Sequence, residues 1–84
     1  MQRARLEEES RVLVSRLALF PRLMVESSGM DGLTARNWFR IRDRLSGRSG
    51  TVHVSHPDDF FGPRFDAWLK GFLHRCEDKV ERDS

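Results

Sequence analysis

The chain has 84 residues, room for one domain and one small core. Hydrophobic residues make up 38% and charged residues 33%, with six Phe and two Trp, which excludes the disordered class and leaves a somewhat polar globular protein. The formal net charge of +2 is too small to imply a polyanionic partner by itself. The single cysteine, Cys76, rules out an intrachain disulfide and points to a reducing compartment. No apolar run reaches membrane-spanning length, and "MQRARLEEES" lacks the apolar core of a signal peptide, so the expected location is intracellular, cytoplasm or nucleus, with no membrane association.

Residues 3 to 20 read as a first helix. Leu6, Leu13, Leu17, Phe20 and Met24 follow spacings of seven, four, three and four, an apolar seam of helical period. Glu7 and Arg11 form a favourable pair one turn apart. Pro21 disfavours helical geometry at Phe20, so the helix ends or kinks there. "RLMVES" continues as a further turn or a short extended segment, and "SSGMDG" reads as a loop by composition.

Residues 33 to 46 are predicted as a second helix, with Thr34 as N-cap and Gly47 as the stop. "TVHVS" alternates and predicts a short strand at 51 to 55, whose partner is "LMV" at 23 to 25 or another chain. A third helix starts near Pro63 and runs to about Lys79, with Phe65, Leu69, Phe72 and Cys76 on its apolar face. The fold predicted is mainly α, a small three-helix bundle with one short β-strand between the second and third helices, forming a single domain over 1–84.

The chemistry is concentrated in "ARNWFRIRDRLSGRSG". Residues 36 to 48 hold five Arg against one Asp. On a helix, Arg36, Arg40 and Arg44 share one face and Arg48 follows in the turn, while Trp38, Ile41 and Leu45 face the core and Phe39 sits on neither arc. A helix of that form contacts nucleic acid, or an acidic partner, through bidentate guanidinium groups. "NWFRIRDRLSGR" resembles the second helix of Myb/SANT repeats over its twelve residues, but "TVHVSHPDDF" stands where the third helix of such a repeat would be, so membership does not follow.

Four other features bear on function. "HPDDFFGPRF" offers Phe60 and Phe61 beside two aspartates, either an exposed docking element or a cap on the core. His53, His56, His74 and Cys76 are donor residues whose spacing does not converge on a metal. No nucleophile elbow, phosphate loop or zinc-protease motif is present, so neither an enzyme nor a cofactor is expected. The last feature is the pair of apolar seams on the first and third helices, which are expected to pack on each other and leave Val14, Leu19, Leu23, Leu73 and Phe39 as a surplus for a partner or a second copy. The first expectation is therefore a non-catalytic protein-interaction or assembly module, self-association through the first helix or the strand edge being one form of it, with Leu17, Phe20, Phe39, Phe60 and Phe61 as interface residues. The alternative is a helix-turn-helix-like nucleic-acid-binding module using Arg36, Arg40, Arg44 and Arg48.

Overall fold

The computed structural model of the chain describes residues 2–83, with side chains placed from 4 to 79. Helix α1 (Gln2–Leu17) is followed by strands β1 (Leu23–Asp31), β2 (Arg36–Asp43) and β3 (Ser49–Val54), a 3₁₀ turn (Pro57–Phe61) and helix α2 (Pro63–Asp83). The strands form one antiparallel meander in the order β1-β2-β3. The fold is α+β, two helices with a three-stranded sheet, and the expected three-helix bundle is not formed.

The correction falls on residues 33 to 46, which are a strand and its flanking turns where a helix was expected. A spacing of four residues is a multiple of the strand period and close to one helical turn, so Arg36, Arg40 and Arg44 satisfy both. Phe39 and Ile41 decide the matter. They lie two apart and both are 0% exposed, as are Asn37 and Asp43 to within 1%. An α-helix would turn Phe39 and Ile41 about 200° apart. The stretch resembling a Myb/SANT helix is thus the central strand and its hairpin turn.

Two further expectations change with it. "SSGMDG" lies mostly within β1, where Ser27 pairs with Arg40 and Asp31 with Arg36 across the ladder. β3 pairs with β2, Trp38 opposite His53 and Phe39 opposite Val52, and not with residues 23 to 25.

Both helices cover the same face of the sheet. Phe39, Ile41, Val52 and Val54 point inward against Leu13 and Leu17 of α1 and Phe65, Leu69, Phe72 and Cys76 of α2. An aromatic chain ties the layers together. Phe39 meets Phe60 edge-on at 5.6 Å, Phe60 meets Phe65 at 5.1 Å, and Trp68 and Phe72 stack at 5.1 Å. The rings of Trp68 and Phe72 lie so close over Gly50 that an added Cβ would meet them at 3.0 and 3.1 Å. The one-residue grain of β3, with Val52 and Val54 inward, is as the sequence predicts. Among the described residues no helix is long and apolar enough to cross a membrane.

Each end of β2 is anchored by a buried polar group. At one end Asn37 Nδ2 donates to Glu9 Oε1 of α1 at 2.8 Å, and Arg5 Nε approaches the same oxygen at 3.3 Å. Glu9 is fully buried, and burial pushes its carboxyl above the ordinary glutamate value, against the Asn37 hydrogen bond and the Arg5 charge. At the other end Arg22 donates twice to the Asp43 carboxylate, at 2.6 and 2.9 Å, and the Ser46 N–H donates to it at 3.0 Å. The Arg22 hydrogen bonds, joined by Ser46, hold the Asp43 carboxyl far below the usual carboxylate range.

Asp43→Ala removes both hydrogen bonds of the Arg22 guanidinium, which keeps only Glu77 at 3.9 Å, and is expected to cost about 1.5–3 kcal/mol in urea unfolding at neutral pH. Because the folded carboxyl is depressed, its contribution is complete above the ordinary value of 3.8 and is lost as pH falls below it, so the gap between wild type and variant narrows in acid. The carboxyl of Glu9 behaves oppositely. It is raised above 4.5, so it disfavours the fold increasingly as pH rises through its folded value. The stability of Glu9→Gln relative to wild type is therefore expected to climb between mildly acidic and neutral pH, and a flat difference would contradict the assignment.

Candidate functional site: the open face of the sheet

Because Asn37, Phe39, Ile41 and Asp43 point inward, strand alternation turns Arg36, Trp38, Arg40 and Arg42 outward. Among the described residues no helix packs on that face. Arg40 and Arg42 have half-exposed side chains, at 54% and 48%. The neighbours of this row are set by register. On β1, Gly29 lies opposite Trp38 and Ser27 opposite Arg40. On β3, His53 lies opposite Trp38 and Thr51 opposite Arg40.

Trp38 lies flat. A Cβ added to Gly29 would sit 2.5, 2.6 and 2.7 Å from its Cζ2, Cε2 and Nε1 atoms, nearly equidistant from three adjoining ring atoms. One face of the indole therefore rests on the bare backbone of Gly29. Only glycine leaves room for that approach. Trp38 is partly exposed, its neighbours on the same face of the strand are the Arg36 and Arg40 positions, and His53 is its register partner on β3.

The charges are partly organised from within. A β-bulge between Val25 and Ser27 places Glu26 across the end of the row. Its carboxylate pairs with Arg40 Nε at 2.8 Å and Arg42 Nη1 at 3.3 Å, and accepts from Ser49 Oγ at 3.1 Å. The Ser49 hydroxyl first, then the two arginines, lower its carboxyl below the ordinary value. Asp31 faces Arg36 across the ladder, but its carboxylate accepts the Leu33 N–H at 3.0 Å and belongs to the turn. Among the described residues Arg36, Arg44 and Arg48 form no ion pair.

Of the arginines singled out in the sequence, Arg36 and Arg40 share this face. Arg44 and Arg48 stand past the end of β2 at the hairpin turn, where the Arg44 N–H donates to the Arg22 carbonyl and the Arg48 carbonyl accepts the Asp43 N–H. The expected interface residues separate. Leu17, Phe39 and Phe60 are at 5%, 0% and 0% exposure inside the chain's own core. Phe20 is half-buried beside that core, and Phe61 is exposed, with the Arg16 guanidinium 5.3 Å from its ring centroid. His56 Nδ1 accepts the Asp58 N–H at the start of the 3₁₀ turn, His74 lies by Asp78, and Cys76 is buried. Burial pushes the Cys76 thiol up.

The residues that helical reasoning passed over are Trp38, Arg42 and His53. The signal for Arg42 was the alternation of Phe39, Arg40, Ile41 and Arg42, and no local pattern marked Trp38. Together the face offers guanidinium groups in a row, hydroxyl and imidazole donors, and one flat aromatic surface. Its chemistry suits an anion that carries planar groups.

Two grooves border the sheet. One, of about 720 Å³, runs along β3 and is walled by Val52, Val54, Phe65 and Trp68, with Arg64 and Asp58 at its rim. The other, of about 460 Å³, lies between the end of α1 and β1.

Gly29→Ala is expected to lift the indole from its seat, at a cost of about 1–3 kcal/mol from overpacking. In a Trp68→Phe background the emission of Trp38 should shift to the red, and an unchanged spectrum would show that the ring does not rest there. Comparison with protein-family models, with curated proteins and with solved structures finds no match, so the chemistry of this face rests on its own residues.

Proposed function

We propose that the chain is a non-catalytic binding module whose open sheet face takes single-stranded nucleic acid. The observation that carries this reading is the Trp38 ring lying flat on Gly29 between two arginine positions. An unpaired base stacks on an aromatic face of this kind with little regard to sequence, while arginines along the same strand follow the phosphates. A duplex keeps its bases inside the stack and cannot use the ring. The modest net charge fits a short site with few phosphate contacts, rather than a long polyelectrolyte track. Arg36 meets the backbone on one side of Trp38. Arg40 and Arg42 are held on the other side by Glu26, which fixes their direction and tempers their charge.

The test is fluorescence anisotropy of a short labelled single strand, with the matching duplex as control, at low and moderate salt. Binding to the single strand is expected to exceed binding to the duplex. Trp38→Ala should weaken it by about 1–3 kcal/mol, and Trp38→Phe by less. Arg36→Ala should lower the salt slope by about one. Phe61→Ala, away from the face, should change nothing. Wild-type affinity in Trp38→Ala would refute the reading.

The protein-interaction reading draws support from a different part of the molecule than the residues first expected for it. Leu17, Phe39 and Phe60 support the core, so a partner surface has to be made elsewhere. The observation in its favour is the free edge of β3, with a groove of mixed apolar and charged lining beside it.

A further inference from the structure

We infer that β3 is a self-pairing edge, and that two copies of the chain join through it into one continuous six-stranded sheet. β1 and β3 are the two edges of the meander, and they are built differently. β1 carries Glu26, Asp31 and a bulge, the devices by which sheets protect an edge from further pairing. β3, "SGTVHV", has no Asp, Glu, Lys or Arg, no proline and no bulge in its pairing. It is the one strand of the three without a charged residue of those types, in a chain where a third of residues are charged.

The peptide groups that would do the pairing can be identified. The Asp43 N–H donates to the Arg48 carbonyl at 2.8 Å. Antiparallel alternation then directs Gly50, Val52 and Val54 toward β2, and the backbone groups of Ser49, Thr51 and His53 away from it. Among the described residues these groups have no backbone partner; the next N–H along, Ser55, is already taken by Asp59 Oδ2 at 2.8 Å, which closes the edge.

A second copy of β3 fits this edge better than a charged strand does. With Val52 on the twofold axis, Thr51 stands opposite the partner's His53 and the outward peptide groups meet in register. No like charges are opposed, although each chain has a net charge of +2. On the inner side, the groove along the edge is of mixed lining, and its apolar wall of Val52, Val54, Phe65 and Trp68 receives the partner's Val52, while Arg64, Asp58 and Asp59 line the rest. On the outer side, Thr51 and His53 lie in the same sheet face as Trp38, so pairing brings two copies of that face into one surface. If the face binds a single strand, two copies bind a longer one with greater avidity, but the pairing itself does not depend on that reading.

The test is the solution mass of the whole chain across a concentration series without nucleic acid. The mass is expected to rise from 9.8 kDa toward twice that value. Thr51→Pro removes an outward N–H that the fold does not use, so the variant should keep its circular dichroism and remain a monomer. Ser28→Pro, which removes an outward N–H from the β1 edge, should still dimerise. Because a proline variant can fail to fold, a second pair tests the register with exposed side chains alone. Chains carrying Thr51→Glu with His53→Glu, and chains carrying Thr51→Lys with His53→Lys, should each be monomeric alone and form a heterodimer when mixed. A wild-type monomer up to about 1 mM, where the free energy of pairing would be weaker than roughly 4 kcal/mol, overturns the proposal. So does a folded Thr51→Pro dimer, a folded Ser28→Pro monomer, or charge variants that do not rescue each other.

Discussion

The inward row of β2, Asn37, Phe39, Ile41 and Asp43, is the constraint from which the rest of the molecule follows. Its middle is apolar and sits under both helices, while its two ends are polar and buried. Asn37 is tied to Glu9 of α1, and Asp43 to Arg22 in the turn between α1 and β1. A slip of one residue would put Trp38, Arg40 and Arg42 into the core and expose Phe39 and Ile41, so the two polar anchors and the two apolar residues reinforce one register. Buried charged groups are poor sources of net stability, but each is costly to orphan, and both anchors here join segments distant in sequence. Asp43 gathers Arg22, the Ser46 amide and the hairpin turn on one carboxylate.

The outer face is the counterpart of this constraint. The same alternation that buries Phe39 turns its neighbours outward, and both helices lie on the inner side, so among the described residues no helix stands over the arginines and the tryptophan. Gly29 turns that exposure into a defined surface by letting the indole lie down on the backbone. Glu26 orders two of the arginines from a bulge that also shields the β1 edge. One short stretch of β1 thus serves both the geometry of the face and the asymmetry of the edges, leaving β3 as the side on which the sheet can grow.

Much of the scaffold was legible from local pattern. The four-three-four spacing of Phe65, Leu69, Phe72 and Cys76 marked the buried face of α2, because a long amphipathic helix repeats its signal over several turns. Leu13 and Leu17 did the same for α1, and the alternation of Val52 and Val54 marked β3. The bundle reading failed at one place. Arginines four residues apart fit both periods, and Phe39, which matched neither arc of the supposed helix, was the residue that told against it. β1 was hidden for a different reason. Its second half, Ser27 to Asp31, has no apolar period, and it is extended because β2 supplies its hydrogen bonds.

What the sequence by itself determined about this chain is its set of local preferences: two amphipathic helices, a short alternating strand, and an arginine-rich segment with a tryptophan in it. Which side each of those arginines occupies was decided only by the tertiary structure. So was the interior place of Phe39, which the sequence marked as an anchor for a partner. The physical reason is the same in both cases. A side chain's face depends on the period its backbone adopts, and in an ambiguous segment that period is chosen by strand pairing and by burial against residues far along the chain.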